Sequence, residues 1–213
     1  SYYVDDAADF VDNVVLKEKP EVPLILISHS MGGAISLLLA QRKKGLFEKI
    51  VFSSPMWGIN LGKLSHKTAY ILAKITVAFG KGEDYLPGKQ GFSKERSFEN
   101  NGLTHSLENF NRQNEMIKND PSLALGGPTH RWLLESLKTI DKIQKEEFDT
   151  GSTHLLLQAE KDRVVDNKYQ DKVIAKLKNS QKYVVEGAWH EILYEDETYF
   201  KSALEETLIF LKI

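Results

Sequence analysis

A serine attacks a carbonyl only when a base takes its proton, and the base works best when an acid holds it. The 213-residue sequence offers all three residue types in a pattern that would bring them together. Ser30 lies in Leu24-Ile25-Leu26-Ile27-Ser28-His29-Ser30-Met31-Gly32-Gly33, where an apolar run stops abruptly and a helix-periodic segment starts at Ala34. Strand, tight turn and helix in that order leave a serine exposed at the apex. The residues two before and two after must be small, because strand and helix nearly touch there. Ser28 and Gly32 fill those positions, and Gly33 adds room. Ser30 is therefore the candidate nucleophile, and the backbone N–H of Met31, at the helix N-terminus, a candidate oxyanion donor. The competing reading is an ordinary strand-to-helix turn that uses glycine for its bend.

The partners follow downstream. An acidic loop, Glu160-Lys161-Asp162-Arg163-Val164-Val165-Asp166, comes after the apolar run Leu155–Ala159. A second loop, Glu186-Gly187-Ala188-Trp189-His190-Glu191, comes after Lys182–Val185. In a parallel sheet the loops leaving the carboxyl ends of the strands converge on one edge, so each could reach Ser30. His190 is the candidate base, being the histidine that lies just past a strand and downstream of the acidic loop. Asp162 is favoured as the acid because it is near the strand end. Asp166 is the alternative, although its place before Asn167 also suits a helix N-cap, and Glu160 is still emerging from the strand. His29 reads as a packing or hydrogen-bonding residue at the turn. His66, His105 and His130 read mainly as surface residues, and His154 as structural. The histidines lack HxH and HExxH spacing, so no metal site is implied.

These residues need elements to place them. Residues 3–16 carry an amphipathic stripe (Ala7, Phe10, Val11, Val14) and predict a helix. Residues 24–28 predict a strand apolar on both faces, as in a buried parallel sheet. Met31–Arg42 predicts a helix stopped at Gly45, and Lys49–Ser54 a second strand closed by Pro55. From about Met56 to Thr150 no convincing strand appears. Helices are predicted over 66–79, 105–118 and 129–146, with turns at Asn119-Asp120-Pro121 and Gly126-Gly127-Pro128. Strands resume at Leu155–Ala159 and Lys182–Val185, with helices over 167–178 and 198–212. The expected fold class is α/β, a parallel sheet with helices on both faces and a helical insertion. Its parts are residues 1–56 (core with the serine turn), 57–150 (insertion) and 151–213 (core with the acid and histidine loops).

Composition narrows the function. A net charge of −2 with no basic stripe argues against nucleic-acid binding. The absence of cysteine removes disulfides, thiolate metal sites and a cysteine nucleophile. No apolar run approaches the roughly 20 residues that span a bilayer.

With these motifs together the chain resembles the monoacylglycerol-lipase-like α/β-hydrolases, and more narrowly the bacterial lysophospholipases of the inner membrane. The resemblance rests on Ser28–Ser36, Ser54-Pro55-Met56-Trp57-Gly58-Ile59 and Leu103-Thr104-His105-Ser106. It continues through Asn119-Asp120-Pro121, Gly126–Thr129 with Trp132 and Glu135-Ser136, Leu156–Glu160, Arg163–Asn167 and Gly187–Leu193. The serine turn and histidine loop are common to many hydrolases of this fold, and the insertion motifs are the narrower signal. In that family the chain order is Ser, then acid, then His.

The resemblance implies Ser30 as nucleophile, Asp162 as acid, His190 as base and residues 57–150 as a cap over an acyl site. It implies a lipid substrate, no cofactor, no nucleic acid, and a place in the cytoplasm or peripheral at the bacterial inner membrane. Trp57 and Arg112 are the candidate substrate-binding residues: Trp57 beside an apolar helix able to line an acyl tunnel or contact a membrane, and Arg112 as a phosphate reader. The family carries about a hundred further residues ahead of the first helix here, including a His-Gly loop that gives the second oxyanion N–H. The chain is accordingly expected to be the C-terminal portion of a larger hydrolase, with the remainder cut away, disordered or on another chain. Hydrolysis of a lysophospholipid acyl ester is the expected reaction. A monoacylglycerol lipase, another carboxylesterase, a thioesterase or a non-catalytic hydrolase-fold fragment are the alternatives.

Overall fold

The computed structural model describes residues 2–18, 20–92 and 97–212. The chain opens with α1 (Tyr2–Phe10), which runs on through a widened turn at Val11–Val15 and a last turn at Leu16–Glu18. Then come β1 (Leu24–His29), α2 (Met31–Arg42) and β2 (Phe47–Ser53). The insertion holds α3 (His66–Ala78), α4 (Leu107–Asn119) and α5 (His130–Lys145). The core resumes with β3 (Thr153–Ala159), α6 (Asn167–Ile174), β4 (Ser180–Val185) and α7 (Glu197–Leu211).

The four strands form one parallel sheet in the order β1-β2-β3-β4. Parallel neighbours need crossover connections, and helices supply them. The two-residue period of the strands sorts the core into two layers. Ile50, Phe52 and Leu156 point to one face and pack with α1 and α2. Val51, Leu155, Leu157 and Val185 point to the other and pack with Ala203 and Phe210 of α7.

β1 departs from the expected strand buried on both faces. It pairs only with β2 among the described strands. Leu24 and Leu26 pack into the α1/α2 layer. Ile25 and Ile27 face the other way and are 44% and 50% exposed. Ile27 is in register with Val51, so it shares the α7 face; the α7-side cluster includes Val51 but not these two isoleucines.

The insertion has a small core of its own. Ala69 and Ala73 of α3 meet Leu133, Leu134, Leu137 and Ile140 of α5, and Tyr169 from α6 joins them. Ser65, Ser106 and Thr129 cap the three helices by accepting from the backbone N–H three residues on. Among the described residues the insertion has no strand, only isolated bridges at Ile59–Val165 and Tyr85–Thr129.

Candidate active site

The turn between β1 and α2 holds Ser30 at φ 52°, ψ −120°. Positive φ is costly for a residue with a side chain and persists only where neighbours fix it. Here the neighbours come from the exit of β2. The Ser30 N–H donates to Ser53 O at 3.0 Å, and the Ser30 carbonyl accepts from Met56 N–H at 2.8 Å and Gly33 N–H at 2.9 Å.

The tightest approach behind the turn is at Gly33. A Cβ there would lie 2.5 Å from Pro55 Cβ and 2.9 Å from Pro55 Cα. At Gly32, where the sequence pattern put the close contact, a Cβ would meet Ser28 Cβ at 3.8 Å, an ordinary contact. The turn is tight chiefly because α2 rests on the proline after β2.

Ser30, His190 and Asp162 converge above the carboxyl ends of β1, β4 and β3. Ser30 Oγ is 2.9 Å from His190 Nε2, and His190 Nδ1 is 2.7 Å from Asp162 Oδ2. A carboxylate only accepts, so Nδ1 carries the proton and Nε2 is left to accept from the serine hydroxyl. The side chains of His190 and Asp162 are 3% and 0% exposed. The other oxygen of Asp162 accepts from Val164 N–H at 2.8 Å and Val165 N–H at 2.9 Å, which fixes the carboxylate from behind. Asp166 serves α6 instead, capping it by accepting from Lys168 N–H at 2.9 Å. Glu160 turns aside to accept from Gly187 N–H at 2.7 Å, tying the acid loop to the histidine loop.

Met31 is the first residue of α2, so its N–H lacks a partner within the helix and lies next to Ser30. A hydroxyl, an imidazole, a carboxylate and one such donor in this arrangement are the parts that acyl transfer through a tetrahedral intermediate requires.

The two residues expected to touch substrate have other partners in the structure. Trp57 has no exposed surface; it packs edge-on against Phe52 at 4.9 Å, and its indole N–H donates to Gly33 O at 3.3 Å. It supports the serine turn from the core and presents no surface to solvent. Arg112 is exposed and pairs with Glu108 of its own helix at 2.8 Å, the usual state of a surface arginine. Arg163, from the acid loop, stacks over the ring of Trp189 in the histidine loop, 4.4 Å from its centroid.

His29 Nδ1 lies 3.3 Å from Ser53 Oγ, its ring centroid 4.9 Å from that of His190, and its Nε2 3.2 Å from Glu191 Oε2. Burial works to raise the Glu191 carboxyl, but the adjoining His29 and His190 outweigh it and hold the group below the usual glutamate value.

Glu195, which the sequence pattern does not single out, is the anchor of the histidine loop. Its side chain is wholly buried. Oε1 accepts from Trp189 N–H at 2.9 Å and His105 Nδ1–H at 2.8 Å. Oε2 accepts from His105 N–H at 2.7 Å, Asp196 N–H at 3.1 Å and the Thr104 hydroxyl at 3.2 Å. Glu191 N–H adds a bond to Leu103 O at 2.9 Å. The segment 103–105, visible in the sequence only as a resemblance, is thus bolted to the loop that carries His190. His105 is no plain surface histidine.

Comparison with known proteins identifies the family and the fold. Residues 1–197 match the family model Hydrolase_4, described as serine aminopeptidase, S33. The chain is 34% identical over 217 residues to lysophospholipase L2 of Escherichia coli K12, covering 98% of this chain and 63% of that protein. It is 26% identical over 206 residues to mouse monoglyceride lipase, covering 96% of this chain and 63% of that one. The chain thus spans less than two thirds of the length of these curated relatives. A soluble variant of Saccharomyces cerevisiae monoglyceride lipase, solved with a substrate analogue, superposes with a TM-score of 0.71 at 20% identity, covering 98% of this chain and 68% of that one. The fold is that of the α/β-hydrolases, and the chain belongs to the Hydrolase_4 family.

Proposed function

We propose that the chain carries the machinery of a carboxylic ester hydrolase acting on the long-chain acyl ester of a lysophospholipid. The relay of Ser30 Oγ, His190 Nε2 and Nδ1, and Asp162 Oδ2, with links of 2.9 Å and 2.7 Å, carries this reading. The likeness to lysophospholipase L2 supplies the choice of substrate.

In the proposed reaction Ser30 Oγ attacks the acyl carbonyl while His190 Nε2 takes the hydroxyl proton. Asp162 holds the tautomer and stabilises the imidazolium, and the Met31 N–H donates to the oxyanion. Collapse breaks the acyl–oxygen bond, and His190 returns its proton to the leaving glycerol oxygen. Water, deprotonated by His190, then attacks the acyl-serine, releasing the fatty acid and restoring Ser30.

Monoacylglycerol is the second substrate to test, because the monoglyceride lipases share the match along nearly the whole chain. α3 also presents Ile71, Leu72 and Ile75, with Phe79 just past its end, to solvent beside Lys67 and Lys74, which favours contact with an anionic lipid surface. No helix among the described residues is long and apolar enough to cross a membrane.

The test is a fluorophosphonate probe followed by a substrate panel. Labelling lost in Ser30→Ala, and fastest turnover of lysophosphatidylcholine over monoacylglycerol, short p-nitrophenyl esters and acyl thioesters, is the expected result. A folded wild-type chain that takes no label would turn the reading towards a binding module.

A further inference from the structure

His29 and Glu191 are half-buried, ionisable and beside the relay, yet no step of acyl transfer uses them. One donor atom from each of His29, His190 and Glu191 lies within 4.8 Å of the others. We propose that these three residues form a site for a divalent transition-metal ion, Zn²⁺ foremost, that reversibly switches the hydrolase off.

The donor set is the first argument. Two imidazoles and one carboxylate, with an open fourth position, are the ligands zinc takes. Bond lengths near 2.1 Å place tetrahedral donors roughly 3.4 Å apart. His29 Nε2 and Glu191 Oε2 already stand at 3.2 Å, so His190 need close by only about an ångström or so.

The state of each ligand is the second. His29 Nε2 is buried and has no hydrogen-bond partner, although Glu191 Oε2 stands 3.2 Å away. Its other nitrogen rests on Ser53 Oγ at 3.3 Å, which steadies the ring with Nε2 towards the site. His190 is braced at Nδ1 by Asp162 at 2.7 Å. A carboxylate behind a histidine is the arrangement that orients and strengthens imidazole ligands to metals. The side chains of His29 and Glu191 are 26% and 34% exposed, so the site borders solvent although His29 Nε2 itself is covered. Ser30 Oγ, 2.9 Å from His190 Nε2, or a water completes the coordination.

The consequence follows from one lone pair. His190 Nε2 either receives the Ser30 proton or binds the metal. The bound enzyme has no base, and a chelator returns it to work. The inference concerns the relay and not the identity of the acyl substrate.

The full chain is titrated with ZnCl₂ while hydrolysis of a soluble p-nitrophenyl ester and the rate of fluorophosphonate labelling are followed. Co²⁺ is titrated in parallel, and its visible absorption bands report tetrahedral coordination whether or not the enzyme turns over. Expected are inhibition and slowed labelling by Zn²⁺, both reversed by EDTA, and tetrahedral Co²⁺ bands. In His29→Gln and in Glu191→Gln, each normalised to its own metal-free rate, the inhibition constant should weaken at least about tenfold and the Co²⁺ bands fade. Two variants guard against one failing to fold. Inhibition unchanged in both, or no tetrahedral Co²⁺ spectrum at saturation, overturns the site. Failure of the proposed substrate class leaves the Co²⁺ readout intact and so is told apart.

Discussion

Glu195 and His105 are 90 positions apart in the chain and share a 2.8 Å hydrogen bond between Oε1 and Nδ1. Through that bond the helical insertion and the His190 loop are one unit. Glu195→Gln replaces one acceptor oxygen by an NH₂ that would face N–H donors. The cost expected is about 2–4 kcal/mol of stability, with slower fluorophosphonate labelling at Ser30 because His190 loses its footing. Urea unfolding and labelling rates, measured together, check both. A variant that unfolds and labels like the wild type would mean that Glu195 is not the anchor.

Asp162 and Asp166 should separate cleanly. Asp162→Asn presents an amide where His190 needs an acceptor, so the imidazole is held in the wrong tautomer. The rate should fall about 10⁴-fold with little loss of fold. Asp166→Ala removes a helix cap, which costs about 1 kcal/mol of stability and leaves turnover close to normal. Steady-state kinetics beside thermal melts distinguish the two, and an exchange of the phenotypes would reassign the acid.

The two glycines after Met31 should behave as opposites. Gly33→Ala drives a methyl into Pro55, 2.5 Å from its Cβ, and should cost about 1–3 kcal/mol together with most of the activity. Gly32→Ala meets Ser28 only at 3.8 Å and should be neutral or slightly stabilising, since alanine favours helix over glycine by up to about 1 kcal/mol. Melting temperatures of the pair give the answer.

His154 sets a pH dependence of stability. Burial holds its imidazole below the ordinary histidine value, while contacts with the Lys178 and Asn179 backbone pull partly the other way. Nδ1 donates to Lys178 O, and Nε2 accepts from the Thr150 hydroxyl at 2.8 Å, which suits the neutral ring. Around and below pH ~6.5 the unfolded chain therefore binds the extra proton and the folded chain does not. This contribution is full above the ordinary histidine range and is lost as pH falls through the lowered folded value. The melting temperature should drop between about pH 7.5 and 5.5, and less so in His154→Gln. Glu191 and Asp171, both held below the usual carboxylate range, act at lower pH and do not blur the window. Equal slopes in the two proteins would remove His154 as the cause.

Ser30, His190 and the acid loop were legible because a parallel sheet sends its carboxyl-end loops to one edge, so chain order and strand ends nearly determine the neighbours. What lies around them was not. Glu195 sits in Tyr194-Glu195-Asp196-Glu197, a run that reads as solvated surface until the chain closes over it. Trp57 comes two residues after a proline and looks free to meet substrate, and only its burial and its bond to Gly33 O show that it is under the turn. Arg163 invites a carboxylate partner but finds the flat face of Trp189. Strand β1 reads as buried on both sides from composition alone, whereas its burial depends on which elements flank it. The His29–His190–Glu191 group joins His29 to residues 161 and 162 positions away, beyond any spacing rule for metal ligands.

The strands lie across the sheet in the order in which they occur in the chain. Ser30 leaves the first of them and His190 the last. Within this chain Ser30 is therefore synthesised 160 positions before His190, and the two meet only when the sheet has closed from β1 to β4. Contacts across so much sequence form slowly. The relay is therefore complete only once β4 has paired with β3, because the loop that leaves β4 carries His190.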